Sequence, residues 1–225
     1  ESTYRYREYL QRFIRTRNVK SIVDLGCGDW HFSRLIDFAG AAYEGFDVSK
    51  TVIECNKKLY SSTDIEFHVF TIYENLPSAD LLVCKDVLQH LSNEEIKKII
   101  SIFPRYKFVL LTNDVVNMTR LGEALWKLRK FGFGFKSLSV PLVNADIKIG
   151  DYRPLIPTQK PFSVKARKVL EWKTGRFGFW QTFVPRNLFY GVISETTKRT
   201  YLVDNLDRKS LVLPRLKINR EKSAS

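Results

Sequence analysis

Apolar residues recur along this chain in two rhythms. From Tyr4 to Thr16 they fall at Tyr6, Leu10, Phe13 and Ile14, the stripe of an amphipathic helix whose arginines face water. Ser21-Ile22-Val23-Asp24-Leu25 then reads as a short buried strand, and further strand-like runs follow at Tyr43–Val48, Ile65–Phe70, Ala79–Asp86 and Tyr106–Asp114. Ser49 caps a helix running to about Tyr60, and Ser92-Asn93-Glu94-Glu95 opens another with the acid-rich first turn that suits a positive helix end. Strands and helices therefore alternate through residue 115, the sequence pattern of an α/β domain.

Beyond residue 115 the alternation loosens. Leu121–Phe131 has helical spacing, and the Gly132-Phe133-Gly134-Phe135 run after it fits no simple period and reads as a lid or acceptor loop. Asp146–Leu155, followed by Pro157 and Pro161, reads as an irregular segment too polar for the core. Val169–Trp172, Phe189–Ile193 and Arg199–Val203 read as strands.

The most informative stretch is Val23–Trp30. Gly26 and Gly28 allow a tight backbone turn directly after the first strand, and Phe32-Ser33-Arg34-Leu35-Ile36 resumes with helical spacing. Strand, glycine turn and helix is the setting in which an open α/β sheet seats an adenosyl cofactor. About twenty residues on, the second strand ends in Asp47, where a carboxylate can accept both ribose hydroxyl protons. Each feature alone also serves an ordinary turn; their offset is what joins them. A dinucleotide turn carries a third glycine to admit the pyrophosphate, whereas Trp30 stands two residues after Gly28, which argues against a dinucleotide.

These residues resemble the class I S-adenosylmethionine-dependent methyltransferase family over roughly residues 1–115. The resemblance implies a Rossmann-like, seven-stranded, mostly parallel sheet with helices on both faces and an antiparallel C-terminal strand pair, expected to be Phe189–Ile193 and Arg199–Val203. It implies S-adenosylmethionine as cofactor, held by Asp24, Gly26, Cys27, Gly28 and Trp30 around the first turn, by Asp47 and Val48, by Thr71 and Ile72, and by Lys85. Thr71 stands where many members carry an acid that contacts the adenine amino group. Its hydroxyl and the backbone near Ile72 are the expected substitutes.

Methyl transfer to oxygen needs an aligned acceptor and a base. Lys85-Asp86-Val87-Leu88-Gln89-His90-Leu91 follows the fourth strand, which makes His90 the candidate base, Asp86 its neighbour on a helical face, and Asp114 a further acid at the end of the fifth strand. The alternative for His90 is a residue that fixes loop geometry. His31 and His68 rank behind it. A divalent cation bridging Asp86 or Asp114 to acceptor hydroxyls is compatible with these residue types, although their spacing is not that of a metal motif. Tyr152 and Arg153 are the candidate acceptor contacts, the first by stacking and the second by gripping hydroxyls or phosphate; loop residues that only pack are the alternative.

Charge divides the chain. Residues 1–112 hold 15 basic and 15 acidic side chains, so the whole +13 excess lies in residues 113–225, with 22 basic and 9 acidic. The expected organisation is one methyltransferase domain over residues 1–225, with a cofactor half at 1–115 and a basic acceptor half at 116–225. That asymmetry suits an anionic partner, a nucleic acid among them, and equally a solvated basic face with a mobile tail at Arg215–Lys222. Three cysteines without metal spacing, and no long apolar run, fit a reducing cytoplasmic setting without a membrane span. The chain starts at Glu1 and its only methionine is Met118, so a piece of a longer protein is expected.

The phrases Cys84–Leu91, Thr112–Asp114 and Gly150–Leu155 are similar to a bacterial and viral subgroup found beside glycan genes. More narrowly, they resemble the C-terminal methyltransferase module of large-virus (chlorovirus-type) glycosyltransferases that cap rhamnose-containing glycans. That resemblance implies O-methylation of a sugar hydroxyl, with a glycan as acceptor and glycosyltransferase domains as attached partners. Two other readings stand beside it: methylation of RNA ribose or another nucleic-acid position through the basic half, and a non-catalytic module that supports a neighbouring domain.

Overall fold

A computed structural model describes residues 2–118, 143–174 and 193–206. Its sheet has seven strands in the order β3-β2-β1-β4-β5-β7-β6. They are β1 (Ser21–Leu25), β2 (Ala42–Asp47), β3 (Ile65–Val69), β4 (Ala79–Lys85), β5 (Tyr106–Met118), β6 (Arg167–Lys173) and β7 (Ile193–Asp204). The first five pair in parallel, and β7 runs antiparallel to both β5 and β6. This is the expected Rossmann-like sheet with its antiparallel C-terminal pair. The pair itself differs from expectation: β6 partners β7, and Ile193 and Arg199–Val203 belong to one long strand. Residues 189–192 lie outside the described residues, as do Leu121–Phe131, Gly132–Phe135 and the basic tail.

Alternation of side chains sorts the core into two layers. Ile22, Leu81, Val83, Phe108 and Leu110 face one side, where they meet Tyr6, Leu10, Phe13 and Ile14 of α1 (Ser2–Thr16) and Ile53 of α2 (Lys50–Tyr60). Val23, Leu82, Cys84, Val109 and Leu111 face the other and meet Ile96 and Ile99 of α3 (Asn93–Ser101). Helices thus cover both faces. The caps form as the sequence indicates, with Ser49 Oγ accepting from Val52 N at 3.4 Å and Ser92 Oγ from Glu95 N at 3.3 Å.

One expected helix is missing. After the glycine turn, only a single 3-10 turn forms at Ser33–Leu35. Trp30 takes a left-handed φ of 56°, and Asp37 Oδ1 accepts from Ala39 N at 2.8 Å, a local bond that ends the turn before a second can form. The crossover to β2 is instead an aromatic plug: Trp30 packs on Phe38, Tyr43, Tyr60 and Phe67, with ring centroids 5.2 to 6.3 Å away. Helix α1 joins this plug in covering the face that a crossover helix would occupy.

The segment from residue 143 to 164 also departs from expectation. It lacks regular structure, yet Arg153, Leu155, Phe162 and Val164 are buried. The Asn144 side chain supplies the missing backbone partners, donating to Ile156 O and Lys160 O and accepting from Ile156 N. Among the described residues no helix is long and apolar enough to cross a membrane.

Candidate active site

The strands deliver their C-terminal ends to one rim, and two cavities open there on either side of Gly26 and Lys85. The larger, about 460 Å³, is walled by Gly26, Asp47 and Val48, by Phe46 and Phe70, and by Lys85–Val87, His90 and Leu91. The smaller, about 190 Å³, lies on the α1 side, between Asp24, Lys85 and the rings of Tyr6, Trp30, Phe32 and Tyr43.

Gly26 belongs at their junction because no other residue fits. Its φ is +81°, and a Cβ there would stand 2.2 Å from Val87 Cγ2. Gly28 has φ +58° with open space around its α-carbon, so the constraint at that position is backbone conformation alone. Asp47 binds back onto the turn: Oδ2 accepts from Gly28 N at 3.1 Å and Oδ1 from Ser49 N at 2.9 Å. An ionised carboxylate offers about four acceptor positions, so two remain for a pair of hydroxyls in the larger cavity.

Asp24 is 7% exposed and its Oδ2 accepts from Tyr43 Oη at 2.7 Å. Burial lifts its carboxyl from 3.8 to about 6, against the Tyr43 hydrogen bond and the Lys85 charge. Lys85 lies over the rings of Tyr6 and Phe32 at 5.9 and 5.5 Å. The small cavity therefore holds an acid and an ammonium in an aromatic box. That donor set suits the α-ammonium and α-carboxylate of an amino acid, while the larger cavity suits a nucleoside, so the residues fit S-adenosylmethionine.

On the far wall, His90 Nδ1 is 3.0 Å from Asp151 O, and its ring is 5.6 Å from the Tyr152 ring. Gly150 N donates to His90 O at 2.9 Å, and Tyr152 Oη donates to Asp114 Oδ2 at 3.3 Å. Behind them Lys198 Nζ contacts both Asp86 Oδ1 and Asp114 Oδ1, the latter at 3.1 Å. Burial acts to raise the Asp86 carboxyl, but Lys85 and Lys198 together hold it below the usual carboxylate value.

Several expected residues are thus together: Asp24, Gly26, Cys27 and Trp30 line one or the other cavity along with Asp47, Val48, Lys85, Asp86 and His90. Three placements differ. Thr71 and Ile72 are exposed and line neither cavity; Phe70 and Tyr73 hold that wall instead, the Tyr73 hydroxyl being committed to Glu95. Arg153 is fully buried, donating to Leu91 O at 2.8 Å and Asn93 Oδ1 at 3.0 Å, which commits its guanidinium to the fold rather than to an acceptor. Asp86 and Asp114, either of which was compatible with a divalent cation bridging to acceptor hydroxyls, instead share the Lys198 ammonium. Among the described residues no group of three His, Cys, Asp or Glu side chains could hold a metal.

Sequence reasoning missed Lys198 because it reaches the site only through register, opposite Asp114 on the antiparallel β7. Residues 23–105 match the family model described as a methyltransferase domain. That match spans the glycine turn, Asp47 and the Lys85–Leu91 wall, and the cofactor is S-adenosylmethionine. No curated protein matches. Among solved structures, this chain is similar to the methyltransferase domain of bacterial CtHen1, at 14% identity and TM-score 0.51, covering 90% of this chain and 100% of that one. It is also similar to a Galdieria sulphuraria protein provisionally described as a sarcosine dimethylglycine methyltransferase, at 11% identity and TM-score 0.54 over 90% of this chain and 86% of that one. A third, the mitomycin 7-O-methyltransferase MmcR, has 12% identity and TM-score 0.52, covering 83% of this chain and 49% of that one. At these identities the likeness establishes the fold.

Proposed function

We propose that the domain transfers a methyl group to a hydroxyl oxygen of a sugar in a glycan, rhamnose being the first acceptor to try. S-adenosylmethionine supplies a methyl already activated on a sulfonium, so the chain has to orient two partners and take one proton. In this reading Asp47 holds the ribose hydroxyls, Phe46 and Phe70 flank the base, and Asp24 and Lys85 receive the amino-acid end.

The observation that carries oxygen as the acceptor atom is the contact of His90 with Asp151. A carbonyl oxygen only accepts, so Nδ1 is the donor, and the neutral form of the ring then carries its lone pair on Nε2, on a residue that walls the cofactor cavity. In that form Nε2 is the atom that would take a hydroxyl proton. Tyr152, tilted against His90, offers an aromatic face of the kind on which sugar rings pack. The sugar is supported by the likeness of Cys84–Leu91, Thr112–Asp114 and Gly150–Leu155 to methyltransferase modules of large-virus glycosyltransferases, which also makes glycosyltransferase domains the proposed attached partners.

Incubation with methyl-labelled S-adenosylmethionine and a panel of rhamnosylated oligosaccharides and short RNAs tests the proposal. Transfer to a saccharide, falling by roughly 100-fold or more in His90→Ala with cofactor affinity kept, is the expected result. Transfer to RNA alone, or full activity in His90→Ala, overturns it.

A further inference from the structure

Asp86 and Asp114 meet one ammonium although the first follows β4, the second lies on β5, and they share no motif. Asp86 follows β4 at a left-handed φ of 62°, which turns its carboxylate back across the sheet end, and Asp114 sits on β5. Each carboxylate is about three-quarters buried, and Lys198, opposite Asp114 in the β5–β7 register, is 21% exposed. Its single ammonium contacts one oxygen of each acid. The other oxygens are also met, that of Asp86 by Lys85 Nζ at 2.6 Å and that of Asp114 by Gln89 Nε2 at 3.2 Å and Tyr152 Oη. Charges therefore alternate along Lys85, Asp86, Lys198 and Asp114. Two neighbouring carboxylates in a partly buried setting repel unless a cation stands between them.

We propose that Lys198 is the resident cation of the acceptor wall: its ammonium occupies the place a divalent ion would take between Asp86 and Asp114, holds both acids and, through Asp114, Gln89 and Tyr152 in position, and makes the site independent of added metal. Lys198 is a positioning residue, acting through the acids and not on the acceptor itself. The inference rests on the methyltransferase reading but not on a sugar acceptor.

Removing the ammonium while leaving both acids creates a two-carboxylate site open to a divalent ion. In Lys198→Met, checked for a wild-type melting transition, Mn²⁺ followed by electron paramagnetic resonance should bind with 1:1 stoichiometry and be displaced in Lys198→Met/Asp114→Asn, while wild type shows no such site. This readout needs no acceptor, so it stands if the sugar proposal fails. With whichever acceptor the panel identifies, wild type and Lys198→Arg should keep their rate in EDTA. Lys198→Met should lose on the order of 100-fold in kcat at little-changed KM for the cofactor, with Mn²⁺ restoring part of it. Wild-type activity abolished by EDTA and restored by Mn²⁺ would overturn the proposal. So would an undiminished metal-free Lys198→Met, absence of Mn²⁺ binding to that variant, or an inactive but folded Lys198→Arg.

Discussion

Replacing Asp24 by asparagine should make the cofactor-free protein more stable, and by an amount that depends on pH in a defined way. Burial raises the Asp24 carboxyl from 3.8 in the unfolded chain to about 6 in the fold. Across that window the folded state holds a proton that the unfolded chain has released. Stability therefore falls as pH rises through it, and the cost is complete above about pH 6. A rise from 3.8 to about 6 corresponds to roughly 3 kcal/mol. The carboxamide of Asp24→Asn keeps an oxygen for the Tyr43 hydroxyl and carries no charge, so at pH 8 the variant should gain up to that amount in urea unfolding. Near pH 4 the two proteins should converge. Saturating S-adenosylmethionine should reverse the order, because its ammonium partners the carboxylate of the wild type alone. Equal stability at pH 8, or a gain that persists undiminished into acid, would refute the argument that a buried, under-compensated acid waits in this cavity.

Two further perturbations probe the glycine turn and the second strand. Asp47→Ala should weaken S-adenosylmethionine binding in calorimetry by about 10- to 100-fold, the worth of hydrogen bonds to a charged group, and near-native affinity would remove Asp47 from the cofactor site. Gly26→Ala must fit a Cβ 2.2 Å from Val87 Cγ2 at a φ of +81°. A loss of about 1–3 kcal/mol in denaturant unfolding, together with weakened cofactor binding as Val87 moves in the cavity wall, is expected; an unaltered midpoint would contradict the strained turn.

What was legible in the sequence was what local chemistry fixes. Ser49 and Ser92 mark helix starts because their hydroxyls bond three residues ahead, and Gly26 marks the turn because only glycine tolerates its conformation. The first four strands and the position of Asp47 follow from short apolar runs between such signals. The failures share a different cause. Phe32, Leu35 and Ile36 have helical spacing, but the Asp37 side chain and the left-handed Trp30 stop the helix after one turn, leaving Leu35 52% exposed. Arg153 reads as a surface cation, yet the carbonyls that hold it come from Leu88 and Leu91, more than sixty residues away. The cost of its burial appears in a guanidinium lowered to about 10, despite Asp146. Lys198 enters the site through strand pairing, for which no local pattern exists.

The roof of the small cavity has its own consequence. Tyr6 lies on α1, an element fastened to the sheet by side-chain packing and not by a β ladder. Such an element can detach without dismantling the strands beneath it. Amide protection in α1 should therefore rise when the methyl donor fills the aromatic box, since Tyr6 is one of its walls.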